Sequence, residues 1–94
     1  MGVLSHFRVL DLSRVLAGPW CTQMLADLGA DVIKVEPLSG DPMRDMGRPA
    51  KVSEDKKKFD YQFDVSNRGK RSIAIDLESE AGMEVVFLLI AHAD

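Results

Sequence analysis

Cysteine and histidine are scarce in this sequence, and each scarcity excludes a class of chemistry. A single cysteine, Cys21, rules out an internal disulfide and any cysteine-cluster zinc site. The two histidines, His6 and His92, stand far apart, so no histidine-based metal site is expected. No apolar run approaches the roughly 20 residues of a membrane-spanning helix, and no membrane contact is expected. The start, Met1-Gly2-Val3-Leu4-Ser5-His6, lacks the basic and apolar stretches of a secretory signal. His6 also stands where an N-myristoylation pattern needs Ser or Thr. These absences predict a reducing, cytoplasmic setting. Neither G-x-G-x-x-G nor G-x-x-x-x-G-K-[ST] occurs, which disfavours the ordinary dinucleotide and nucleoside-triphosphate sites.

What is present is an ordinary globular composition: 94 residues, 46% hydrophobic and 29% charged. A chain of this size buries only about 60–65% of its extended surface, so its core is small. The net charge of −3 is unevenly spread. Residues 1–36 carry −1, residues 37–71 carry +3 and residues 72–94 carry −5. A locally basic middle suits a phosphorylated small molecule. It is not the footprint of a nucleic-acid binder, whose domain is usually basic overall.

The pattern of elements is that of an α/β protein. Phe7-Arg8-Val9-Leu10-Asp11-Leu12 is a β-favouring run. Gly18-Pro19 then predicts a helix over 19–28, with Pro19 at its first position and Gly29 as the positive-φ residue that ends it. Asp31 to Glu36 reads as a second strand, closed by Pro37. Strand, helix and strand make a βαβ unit, whose strands run parallel. Residues 37–66 hold three of the four prolines and the run Lys56-Lys57-Lys58, and predict a long irregular loop with at most short helical pieces. A third strand is expected over 71–76. Ser79 then caps a helix over 79–92, with Met83, Val86, Phe87, Ile90 and Ala91 as its core-facing stripe. The helix is so broadly apolar that part of this surface is expected to stay exposed when the chain stands alone. The chain stops where an α/β protein begins its next strand, which predicts the N-terminal piece of a longer protein.

Candidate chemistry gathers at the first strand-to-helix loop, Ser13 to Pro19. Ligands of open parallel sheets bind at the C-terminal ends of strands, and helix N-termini favour anions. From the residues alone, the loop is equally well a plain turn with an exposed arginine. Asp11 in an apolar strand reads as a hydrogen-bonded structural carboxylate. Cys21 reads as a small core residue, Trp20 and the methionines as core, and Lys56-Lys57-Lys58 as a solvated run. Asp27 and Asp31 read as the solvated end of a helix.

Four segments taken together resemble the start of the class III CoA-transferase family. They are Val9 to Pro19, Leu25 to Glu36, Gly40-Asp41-Pro42-Met43-Arg44 and Asn67 to Leu77. That family includes formyl-CoA and carnitine CoA-transferases and α-methylacyl-CoA racemases. The resemblance runs from Phe7 to Asp94, with residues 45–64 as a variable insertion. It implies a Rossmann-like domain that holds CoA at the C-terminal ends of its strands, a second smaller domain and an interlocked homodimer. Residues 1–94 would then be part of that CoA-binding domain, with 37–66 an irregular loop inside it.

The chemistry implied is transfer of CoA between carboxylic acids through an aspartyl-acyl anhydride, with acyl-CoA as a substrate and no permanently bound cofactor. The racemases instead move the α-proton of the thioester. The family's catalytic aspartates lie beyond Asp94, so the 94 residues alone are expected to be inactive. The resemblance assigns Arg14, Leu16 and Ala17 to the loop near the thioester and pantetheine. Formyl-CoA transferases have His and Gln where this chain has Arg14 and Leu16, which argues against formyl-CoA and oxalate. Pro37 replaces a phosphate-binding arginine, leaving Arg44, Lys70 or Arg71 to compensate. Ile75, Asp76, Leu77 and Glu78 match the strand end that borders the adenosine, with Glu78 in place of a lysine. A racemase and a non-catalytic CoA- or nucleotide-binding module remain open as alternatives.

Overall fold

A computed structural model describes residues 2–44 and 61–94. The order of elements is β1 (Arg8–Asp11), α1 (Ala17–Asp27), β2 (Asp31–Glu36), a 3₁₀ turn (Pro42–Arg44), α2 (Tyr61–Asn67), β3 (Arg71–Ala74) and α3 (Glu80–Ala91). The three strands form one parallel sheet in the order β1-β2-β3. This is the α/β arrangement that the sequence pattern predicts. The Lys56-Lys57-Lys58 run and the greater part of the expected insertion lie outside the described residues. No described helix is long and apolar enough to cross a membrane.

The two faces of the sheet differ in chemistry because side chains alternate along each strand. One face carries Leu10, Val35, Ile73 and Ile75, and α3 packs on it through Val86 and Leu89. The other presents Asp11, Lys34 and Ser72 at one level of the register and Glu36 at the next. Helix α1 covers this second face, with Pro19 and Gln23 buried and the Thr22 hydroxyl donating to Asp11 (2.6 Å).

Both helix ends of α1 follow the chain's chemistry. Gly29 has φ 103°, and its N–H and that of Ala30 close on the carbonyls of Ala26 and Leu25. That pair of bonds is a Schellman C-cap, and it is why a glycine stands there. At the other end the helix starts at Ala17, so Pro19 is its third residue and not its first. The first intrahelical bond runs from Trp20 N–H to Leu16 C=O (2.8 Å), so a proline at the third position removes no donor that the helix uses.

Several residues expected in the core are outside it. Cys21 is exposed, and Trp20 and Met24 are each 50% exposed. The cause is the polar sheet face, which takes α1's polar side and turns its apolar stripe outward. In α3, Met83, Phe87, Ile90 and Ala91 are exposed, whereas Gly82, Val86 and Leu89 face the sheet. Gly82 sets this orientation. A Cβ there would lie 1.8 Å from the Asp76 carbonyl oxygen, so only glycine lets the helix approach so closely. Ser79 caps α3 as predicted, accepting from Gly82 N–H at 2.9 Å. Among the methionines, Met43 is buried and Met83 is exposed.

Candidate functional site

The C-terminal ends of the strands, the loop after β1, the turn after β2 and the start of α3 meet at one edge. A cleft of about 220 Å³ opens there, lined by Leu12, Ser13, Arg14, Val35, Glu36, Pro37, Asp41 and Leu77. Helix α1 begins beside it with no side-chain cap and no acidic residue in its first turn. Its free N–H groups therefore keep their attraction for negative charge.

Two linked ion pairs build the floor of this edge. Lys34 Nζ lies 2.7 Å from Asp41 Oδ2, and both side chains are almost fully buried. Arg44 makes a two-point contact with Glu36 at 2.7 and 2.8 Å, and its guanidinium stacks 3.9 Å from the Phe63 ring centre. The Asp41 N–H donates to Glu36 Oε1 (2.9 Å), which joins the two pairs, and Ser72 Oγ donates to Glu36 Oε2. Burial works to raise the Glu36 carboxyl, but Arg44, Ser72 and the Asp41 N–H outweigh it and hold the group down to about 2. Asp41 is likewise held below the usual carboxylate range: its burial is overcome by Lys34 and the N–H groups of Met43 and Val15.

The loop itself has an unusual backbone. Val15 has φ 74° and is the one non-glycine residue with positive φ among the described residues. Its N–H donates to both Asp41 oxygens, at 3.1 and 3.3 Å. Lys34 Nζ donates to the Ser13 carbonyl at 3.2 Å. Arg14 thus sits between two anchored peptide groups. Its side chain is exposed and has no ion-pair partner among the described residues.

The residues singled out in the sequence fall into two groups. Arg14 and Leu77 line the cleft, and Leu16 and Ala17, both exposed, lie where the same loop enters α1. Ile75, Asp76 and Glu78 form the neighbouring strand end. Ile75 is buried in the core and its N–H donates to the Glu36 carbonyl (2.9 Å). The Asp76 carboxylate accepts from Glu78 N–H (3.1 Å), and the Asp76 carbonyl accepts from Ser79.

Lys70 and Arg71 stand at the opposite, N-terminal end of β3. Lys70 Nζ is buried and donates to Asp11, the Pro19 carbonyl and Asn67 Oδ1 at 2.9–3.0 Å, which occupies all three of its hydrogens. Arg71 pairs with Asp31 at 2.6 Å, beside the contact of Arg8 with the same carboxylate. Asp27 is paired with Arg68 (3.0 Å). Asp11 is the hydrogen-bonded structural carboxylate expected of it: burial pushes it up, while Ser13, Thr22 and Lys70 bring it net below its ordinary value.

The network of Lys34, Glu36, Asp41 and Arg44 was legible only in part. Lys34 and Glu36 alternate with Ile33 and Val35 along β2, which signals a polar face on the sheet. Nothing in the spacing indicates that Asp41 reaches back to Val15.

Comparison with known proteins gives a consistent result. The profile of CoA-transferase family III matches residues 4–94. The succinyl-CoA:mesaconate CoA-transferase of Haloarcula hispanica is 47% identical over 95 residues, covering all of this chain and 24% of that enzyme. The succinate–glutarate CoA-transferase of Agrobacterium fabrum is 50% identical over 93 residues, covering 97% of this chain and 23% of that enzyme. The crystal structure of a CAIB/BAIF family protein from Brucella suis superimposes with a TM-score of 0.86 at 47% identity, over 99% of this chain and 24% of that one. The chain therefore spans about a quarter of the length of these relatives.

Proposed function

Because the chain belongs to CoA-transferase family III, we propose that residues 1–94 are the N-terminal acyl-CoA-binding part of an enzyme that moves CoA between carboxylic acids. The observation that carries this reading is the exposed Arg14 beside an uncapped helix N-terminus and a cleft walled in part by Leu12, Val35, Pro37 and Leu77, at the C-terminal edge of a parallel sheet. Arg14 supplies the cation for the ligand's negative charge. Leu12, Leu16 and Leu77 offer apolar surface to the pantetheine arm. The strand end at Ile75–Glu78 borders the adenosine, and Ile75 acts there through backbone. Lys70 is taken up by the buried polar layer and Arg71 by a solvent-exposed pair with Asp31, both at the end of β3 away from this site.

In the whole protein, an aspartate beyond Asp94 attacks the acyl-CoA thioester and expels the CoA thiolate, forming an aspartyl-acyl anhydride. The acceptor carboxylate then takes the donor acid's place on the aspartate, freeing that acid, and the CoA thiolate attacks the new acyl group to give the acceptor's CoA thioester and restore the aspartate. The N-terminal part binds and orients the thioester, and by itself it transfers nothing. The relatives' names support succinyl-CoA as donor and a dicarboxylic acid such as glutarate or mesaconate as acceptor. The 94 residues form part of one Rossmann-like domain, with 37–66 as its internal connection, in an interlocked homodimer.

The test is a transfer assay on the full-length protein with succinyl-CoA and glutarate or mesaconate. Transfer is expected. A charge-assisted contact contributes about 1.5–3 kcal/mol, so Arg14→Ala raises the KM for acyl-CoA about tenfold or more while the acceptor's KM holds. Exchange of the α-proton of a 2-methylacyl-CoA in heavy water, without transfer, would replace this reading with a racemase.

A further inference from the structure

We propose that Asp41, seated on the buried Lys34, is a positioning residue that keeps the acyl-CoA loop in its binding shape by tethering Val15 in the left-handed backbone region. The inference rests on the reading that residues 13–17 receive acyl-CoA, and it adds what shapes them. A β-branched residue at φ 74° is a backbone outlier that persists only where its surroundings impose it. Here the visible constraint is Asp41, which accepts the Val15 N–H with both oxygens. Asp41 is itself fixed by Lys34 at 2.7 Å and by the Met43 N–H at 2.9 Å. Through its bond to the Ser13 carbonyl, Lys34 holds the loop on the other side of Arg14.

Stability alone gives little reason for the pair, since apolar residues of similar volume commonly replace a buried ion pair without loss. Its geometry gives a better one. Without the tether, Val15 relaxes to negative φ, and Arg14 and Leu16 leave their places for most of the time. Affinity then falls by the fraction of loop that remains competent.

The experiment compares two double variants of the full-length enzyme, with KM and kcat measured for each substrate. Lys34→Met with Asp41→Leu removes the pair and the acceptor for Val15. Lys34→Met with Asp41→Asn removes the same charges but keeps a side-chain oxygen for the Val15 N–H. The Leu-bearing variant is expected to have a KM for acyl-CoA about tenfold above that of the Asn-bearing one, at equal acceptor KM. Adding Val15→Gly to the Leu-bearing variant should recover most of that loss, because glycine adopts positive φ without penalty. A merely structural pair predicts equal KM values in the two double variants and no recovery, and either result overturns the proposal.

If the Leu-bearing variant does not fold, Val15→Pro carries the test. It leaves the buried pair intact but deletes the N–H and sets φ near about −65°. A raised KM for acyl-CoA supports the tether, and an unchanged one overturns it. Failure of the underlying site assignment looks different: Arg14→Ala then leaves the acyl-CoA KM unchanged with Asp41 in place.

Discussion

Lys70 and Arg71 are neighbours in sequence with opposite fates, and the difference is a matter of burial. The Lys70 ammonium has exchanged water for three protein acceptors, and burial lowers its pKa despite the attraction of Asp11. Asp11 stays below its ordinary value because Ser13 and Thr22 also donate to it. Removing one partner of such a pair strands the other charge. Lys70→Ala is therefore expected to destabilise the fold by about 3–5 kcal/mol. The Arg71–Asp31 pair lies in solvent, and Arg71→Ala should cost about 1 kcal/mol or less. Urea denaturation of the two variants measures both. A small loss for Lys70→Ala would mean that Asp11 finds water when its partner is gone.

At the scale of elements, α1 and α3 show how a helix chooses its inward side. Along α1 and its two cap residues, the positions at spacing four, Leu16, Trp20, Met24 and Leu28, are each about half exposed, while Pro19 and Gln23 are buried. A sheet face carrying Asp11 and Lys34 takes the polar side of the helix. In α3 the line Gly82, Val86, Leu89 faces the sheet, and Phe87 and Leu88 are more than 60% exposed. Exposed apolar surface on this scale favours association. Trp20→Gln combined with Phe87→Gln is expected to shift the sedimentation of the 94-residue chain toward monomer, with its thermal midpoint little changed. The reverse outcome, a large fall in midpoint, would place these side chains in the folded core. Gly82→Ala should instead destabilise by about 1–3 kcal/mol, since its methyl collides with the Asp76 carbonyl. A calorimetric melt reads that loss.

Across the whole molecule, the polar layer ties stability to pH. Glu36 is held at about 2 against an ordinary 4.5, and Asp11 and Asp41 are also lowered. A carboxyl with a depressed folded pKa binds its proton more readily when unfolded. Its stabilisation is therefore complete above the ordinary value and is lost as pH falls through the folded one. The thermal midpoint should hold from neutrality to about pH 4.5 and drop between there and about pH 2. Lys34→Met with Asp41→Asn should make the drop shallower, because one lowered carboxyl is gone. An unchanged midpoint down to pH 2 would show that these carboxylates gain nothing from folding.

Hydrophobic periodicity, Gly-Pro and Gly punctuation and the Ser79 cap were enough to place the three described strands and two of the three described helices, because these signals are local. The resemblance of four segments was enough to find the family, and with it the edge where Arg14 stands. Which side of each helix faces inward was decided elsewhere. It depended on the chemistry of the sheet face for α1 and on one close approach at Gly82 for α3, and neither is visible in a helix read alone. The same holds for the charges. Lys70 reads as a basic residue before a strand, and only the fold brings Asp11 from 59 positions away to neutralise it. Asp41 reads as part of a short motif, and only the turn after β2 carries it back to the Val15 N–H, 26 positions earlier. Local sequence determines backbone preference. Long-range packing determines which polar groups must find one another once water has been excluded.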